Sequence, residues 1–172
     1  MDTSFRSLLD SENSKKMALR IATEVVNDPS RMKELMILFF DEDLRICQRA
    51  AWPVGLLADK NAHLLEPYLA RMLENLDTPH HDAVIRNTFR TFQYIDFSED
   101  LEGIAFDKAF DYLLDVNRAV AIRVFSMTVC GNIAMKYPEL AQELIPVIED
   151  SIPHGSAGFR ARGALILSKL KP

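Results

Sequence analysis

Three stretches decide the fold. Residues 43–58 read DLRICQRAAWPVGLLA, residues 117–129 read NRAVAIRVFSMTV, and residues 156–167 read SAGFRARGALIL. Each holds an arginine (Arg49, Arg123, Arg162) six residues after a side chain suited to capping a helix N-terminus (Asp43, Asn117, Ser156). Two further pairs, Ser14 with Arg20 and His80 with Arg86, extend the series, and successive arginines lie 29, 37, 37 and 39 residues apart. Side-chain oxygens at such positions accept the backbone N–H groups that a helix start leaves without partners. His80 is the weakest of the five, and Thr78 or Asp82 is the alternative cap there. Around the arginines, Ile46, Ala50, Ala51 and Val54, then Ala119, Val120, Val124 and Met127, then Phe159, Ala161, Leu165 and Ile166 recur at helical spacing. That periodicity predicts helices with a broad buried face.

A second set of apolar stripes alternates with the first. Residues 63–76 (HLLEPYLARMLENL) carry Leu65, Tyr68, Leu69, Met72, Leu73 and Leu76 on one face, residues 104–115 and 139–152 repeat the pattern, and residues 31–40 form a shorter version. Pro29, Pro79, Pro138 and Pro153 fall near helix starts or turns, where a missing N–H does no harm. No segment alternates with a period of two. The expectation is about nine helices in antiparallel pairs, a lone helix over 156–170 at the end, and a short extra helix near 4–9.

A unit of about forty residues built from two helices resembles the HEAT family and its armadillo-like relatives. The capped, arginine-bearing stretches are similar to the family's first helix, and LLEPYLARMLENL resembles its Leu-rich second helix. The resemblance runs from about Ser14 to Leu170. It implies an all-α fold, an α-α superhelix (solenoid) of about four and a half HEAT-like hairpins in a right-handed stack. The chain is then one repeat domain over 1–172 with a short N-terminal extension, 1–13. It also implies that the arginine column stitches neighbouring units together, by bonding cap side chains or C-terminal carbonyls, rather than forming an anion-binding ladder. Three features depart from the pattern: His80 at a cap, Pro53 inside a first helix where it could kink it, and a first unit about eight residues short.

The composition is that of an ordinary folded domain, with 172 residues, 48% hydrophobic and 26% charged. A formal net charge of −5 disfavours generic affinity for DNA or anionic membranes. The N-terminus lacks an apolar core of signal-peptide length, and residues 119–135, the most apolar segment, are interrupted by Arg123. A cytoplasmic protein with reduced thiols follows as the default. Cys47 and Cys130 cannot form a disulfide framework and sit in apolar helices, which favours inert thiols.

Chemistry is poorly signalled. His80 and His81 are adjacent and cannot chelate as an i, i+4 pair; His63 and His154 stand alone; no HExxH, CxxC, Walker A or GxSxG occurs. Neither a metal nor a cofactor is expected. Residues 154–162 (HGSAGFRAR) open a helix with a glycine-containing turn, read as a Ser156 cap in preference to a phosphate site. Trp52, Phe39, Phe40, Phe89 and Phe92 read as core.

The second helices of a stacked repeat line its concave surface. Aligned by their leucine stripes, Glu66 matches Asp107 and Gln142; Ala70 matches Asp111 and Pro146; Glu74 matches Asp115 and Asp150, with Asp41 less securely in the same place. Residues 96–115 hold seven acids against one base, whereas residues 153–172 hold four bases and no acid. Two readings of Glu66, Glu74, Asp107, Asp111, Asp115 and Asp150 stay open: a solvated face, or a docking surface for a basic segment. The last-turn positions of Glu74, Asp115 and Asp150 oppose the helix dipole, so helix stability alone does not choose them. The sequence therefore points to a non-catalytic scaffold that binds a protein partner through an acidic concave face. The alternative is an enzyme on the same scaffold, like the DNA glycosylases and bilin lyases of this family, although a glycosylase needs a basic groove. Leu165, Ile166, Leu167 and Leu170 lie on more than one side of the last helix, and with its basic rim they predict a weak homodimer through that end.

Overall fold

The computed structural model describes residues 4–78 and 81–171. Helix is the only regular structure among them, as the missing two-residue alternation requires. In chain order the helices are α1 (Phe5–Ser11), α2 (Lys15–Asn27), α3 (Met32–Phe39), α4 (Leu44–Asn61), α5 (Leu69–Asn75), α6 (Asp82–Phe92), α7 (Glu99–Leu114), α8 (Val120–Ala134), α9 (Pro138–Ser151) and α10 (Ala157–Leu170). Short 3-10 turns precede α3 and α5 and follow α4 and α9.

The caps explain where helices begin. Ser14 Oγ accepts from Met17 N, Asp43 from Arg45 N and Ile46 N, and Ser156 Oγ from Phe159 N, as the periodic pattern predicts. At the His80/Arg86 pair the cap is neither Thr78 nor Asp82. His81 holds it, its Nδ1 accepting from Ala83 N at 3.1 Å, while Pro79 and His80 lie outside the described residues. At the next pair, Asn117 does not cap. The helix opens at Val120, and Asp115 shapes the turn before it by accepting from Asn117 N at 3.0 Å.

One expected helix is broken. Residues 63–76 form two 3-10 turns, Ala62–Leu64 and Glu66–Tyr68, before α5 begins at Leu69. Pro67 lacks the N–H that an α-helix would direct at the His63 carbonyl, so the α-helical ladder loses a bond there. Pro53, by contrast, lies within a continuous α4 and is buried there.

The chain divides into two compact units, one ending at Ile95 and the other beginning at Asp96. In the first, α4 is the centre: α1, α2, α3 and α6 all pack on it, and it buries Ile46, Cys47, Ala50, Ala51, Val54, Leu57 and Ala58. Phe89 and Phe92 of α6 are buried edge to face, their ring centroids 6.0 Å apart. In the second, α8 has the same role, with α7, α9 and α10 around it. Close approach to α8 and α9 depends on glycine. A Cβ at Gly131 would stand 2.8 Å from Ile166 Cγ2, and one at Gly163 3.1 Å from Ile148 and Ile152.

Candidate functional site

The arginine column is mostly mortar. Arg49 Nη1 donates to the carbonyls of Leu9 (2.5 Å) and Asp10 (3.1 Å) in the last turn of α1. Arg123 Nε donates to the Leu113 carbonyl near the end of α7 at 2.9 Å, and its guanidinium lies 4.8 Å from the centre of the Phe159 ring. Arg162 Nη1 donates to Thr128 Oγ1 at 2.6 Å, tying α10 to α8. Each bond satisfies a group left over at a helix end or on a neighbouring helix. Arg86 is the correction: it is exposed, and it makes no hydrogen bond or ion pair among the described residues. Arg20 pairs within its own helix with Glu24 at 2.9 Å.

The acidic positions separate into free and engaged groups. Asp107 and Asp111, one turn apart on α7, are exposed, as are Asp150 on α9 and Glu74 on α5. None of these four has an ion pair among the described residues. Glu66 is also exposed, but it starts a 3-10 turn and so does not share the helical register of Asp107. Asp115 is engaged. It closes α7, accepts from Asn117 N, and pairs with Arg118 Nε at 3.1 Å. Asp41 is engaged too, by Arg6 and by the backbone N–H of Asp43.

Glu102, one of the seven acids of residues 96–115, is buried. The Tyr137 hydroxyl donates to its Oε1, and Lys136 Nζ lies 3.1 Å from its Oε2. Lys136 also reaches Asp96 at 2.6 Å. The Tyr137 hydrogen bond, then Lys136, holds the Glu102 carboxyl below its ordinary range. Asp96 and Glu102 raise the Lys136 ammonium, and Glu102 raises the Tyr137 phenol. This is a clasp between the start of α7 and the α8–α9 turn, with each polar group satisfied. The periodicity held the clue. Glu102 lies one turn before Phe106, in register with buried Ala109 and Leu113.

Several depressions open on the second unit, one of them, of about 230 Å³, among Asp111, Tyr112, Asp115 and Arg118. An apolar groove of about 620 Å³ runs between α8 and α10, with Val120, Val124, Phe125, Ala161 and Leu165 along it and Arg162 at its edge. A hollow of about 550 Å³ lies among Met135, Pro138, Gln142, Ile145, Lys169 and Leu170. On α10, Ile166 is buried, Leu167 and Leu170 are half-buried, and Leu165 stays 51% exposed, facing the groove.

No group of three or more His, Cys, Asp and Glu side chains among the described residues is arranged to hold a metal ion. Cys47 and Cys130 are free and buried, and burial raises both thiols, Cys130 strongly. Among the described residues, no helix is long and apolar enough to cross a membrane.

A comparison with curated proteins gives no match. The model of the HEAT repeat domain family matches residues 5–170, nearly the whole chain. HEAT repeats as a class stack helical hairpins into all-α solenoids and serve in protein–protein interaction. With the matched residues, the purely helical fold and the arginine stitches taken together, the chain belongs to the HEAT repeat family.

Proposed function

We propose that this protein is a non-catalytic interaction scaffold that presents acidic side chains to a protein partner carrying a basic segment. The observation that carries the reading is the state of Asp107, Asp111 and Asp150: exposed, on well-formed helices, and without ion pairs among the described residues. Carboxylates that neither cap nor pair are available to a partner. Glu66 and Glu74 add exposed charge in the first unit. Asp115 is less available, because it already closes the turn before α8. The two free, buried thiols suit a reducing, cytoplasmic setting.

The test is titration with a labelled Lys/Arg-rich peptide, with a Glu-rich peptide as control. Binding to the basic peptide is expected to weaken as salt rises, since exposed charges are screened beyond about 8 Å at physiological ionic strength. The variant Asp107→Asn/Asp111→Asn/Asp150→Asn is expected to bind several-fold more weakly with an unchanged unfolding midpoint. No binding, or binding indifferent to both salt and the triple variant, overturns the reading.

A further inference from the structure

Helix α2 keeps one face open to solvent. Lys15, Lys16, Leu19, Thr23 and Val26 are all exposed, and at 100° per residue they fall within an arc of about 100°. Leu19 is 45% and Val26 43% exposed. Lys15 and Lys16 make no ion pair among the described residues, whereas Arg20 is spent on Glu24. Glu24, the one acid of α2, is half-buried and held by both Arg20 and Arg31. Glu12, the next acid in sequence, precedes the helix. The face is therefore apolar, with unpaired positive charge at its N-terminal end. Helix stability does not choose that charge, because the dipole disfavours cations in a first turn.

Helix α7 carries the inverse pattern. Asp100, Ile104, Asp107, Asp111 and Leu114 are exposed and fall within an arc of about 80°. Ile104 and Leu114 are each 47% exposed. Asp100, Asp107 and Asp111 make no ion pair among the described residues. Asp111 lies in the last turn, where the dipole disfavours anions. Lys108, the one base of α7, is half-buried and off this stripe. Each face thus sets two exposed apolar side chains beside unpaired charges, and the charges are of opposite sign. Laid antiparallel, α2 brings Lys15 and Lys16 beside Asp107 and Asp111, so the charges that neither helix terminus favours neutralise each other.

We infer that the Lys15–Val26 face of α2 docks on the acidic stripe of α7 in a second copy of this chain. The inference rests on the reading of the α7 acids as a docking face, and it names the basic segment they take. The two faces differ, so a single contact leaves one free α2 and one free α7, and copies add head to tail unless the second pair closes a dimer. Each face is one helix wide, small beside the roughly 1,200–2,000 Å² of a stable interface, so association is weak and grows with concentration.

Sedimentation velocity of the full chain, from micromolar to near-millimolar concentration, reads this directly. The weight-average sedimentation coefficient is expected to rise with concentration and to fall back in high salt. Lys15→Glu/Lys16→Glu and Asp107→Lys/Asp111→Lys are each expected to weaken self-association by at least about tenfold. Acids in the first turn of α2 and a lysine in the last turn of α7 suit the helix dipole, so both variants should fold, which circular dichroism checks. If either does not, Lys15→Gln/Lys16→Gln or Asp107→Asn/Asp111→Asn replaces it, with the same loss as readout. Mixed in equal amounts, the two charge-reversed variants should associate again, because opposite charges then face each other. A wild type that stays monomeric throughout, or two folded variants that ignore each other on mixing, overturns the inference. The α2 variant keeps its α7 stripe and should still bind the Lys/Arg-rich peptide. Peptide binding by a wild type that does not self-associate overturns only the second copy as partner. Absence of both overturns the docking-face reading as well.

Discussion

Replacing Gly55 with alanine adds one methyl group to the interior of α4, and the tertiary structure sets its sign. An added Cβ would lie 2.1 Å from Asn87 Oδ1 and 2.9 Å from Asn87 Cγ. Asn87 is 2% exposed, and its Nδ2 donates to the Ala83 carbonyl at 2.8 Å. The amide cannot swing aside without giving up that bond in a closed space. Overpacking of this kind costs about 1–3 kcal/mol, and the lost hydrogen bond about 1 kcal/mol. Alanine in place of glycine in a helix returns about 0.5–1 kcal/mol. The net expectation is a destabilisation of roughly 1–3 kcal/mol, or a fall in the urea midpoint of about 0.5–1.5 M for an m-value near 2 kcal/mol/M. Urea unfolding followed by far-UV circular dichroism measures it. Gly103→Ala is the control: it sits inside α7 with nothing within 4 Å of the added Cβ. It should therefore stabilise by about 0.5–1 kcal/mol. The double variant Gly55→Ala/Asn87→Ala should be less damaged than the sum of its parts by about 1 kcal/mol. A Gly55→Ala protein as stable as wild type, or one strictly additive with Asn87→Ala, would refute the reasoning.

Four other outcomes are expected. Arg123→Ala should lower stability by about 1–3 kcal/mol, since it strands the Leu113 carbonyl and uncovers Phe159. Arg86→Ala should stay within about 0.5 kcal/mol of wild type in the same urea assay, because its side chain is exposed. The Glu102 clasp gives a pH dependence with a definite sign. A carboxyl whose folded pKa is depressed stabilises the fold above its unfolded pKa, and that contribution is lost as pH falls through the folded value. The stability gap between wild type and Glu102→Gln should therefore be full at neutral pH and close on acidification. Equal gaps at both ends would show that the carboxylate charge plays no part. Cys47 and Cys130 should react with a disulfide reagent such as DTNB only as fast as the protein unfolds, and prompt labelling of the native protein would contradict their burial.

Much of the architecture was legible because it is written locally. A cap oxygen acts on an N–H two or three residues away, and a helical stripe needs only a period, so Ser14, Asp43 and Ser156 announced their helices correctly. The break at Pro67 was equally local, but it was masked by a leucine stripe that continues across it. His81 in place of a neighbouring cap, and an α8 that opens after Ala119 with no side-chain cap, show the one- or two-residue margin within which a helix start settles.

What the sequence determined alone is therefore the kind of protein: helical hairpins recurring at intervals of 29 to 39 residues, with arginines placed to meet helix ends and acids concentrated on the second helices. It could not decide which of those charges are free. Glu102 and Asp107 stand five residues apart on α7, yet one is locked to Lys136 and Tyr137 and the other is open to solvent. Arg86 and Arg123 share a column position, yet only Arg123 is bonded to a neighbouring helix end. The partners of Glu102 lie 34 and 35 residues away in sequence, beyond the reach of any local pattern. Whether a charge is free or spent depends on what the packed helices bring within about 3 Å of it, and only the tertiary structure fixes that distance.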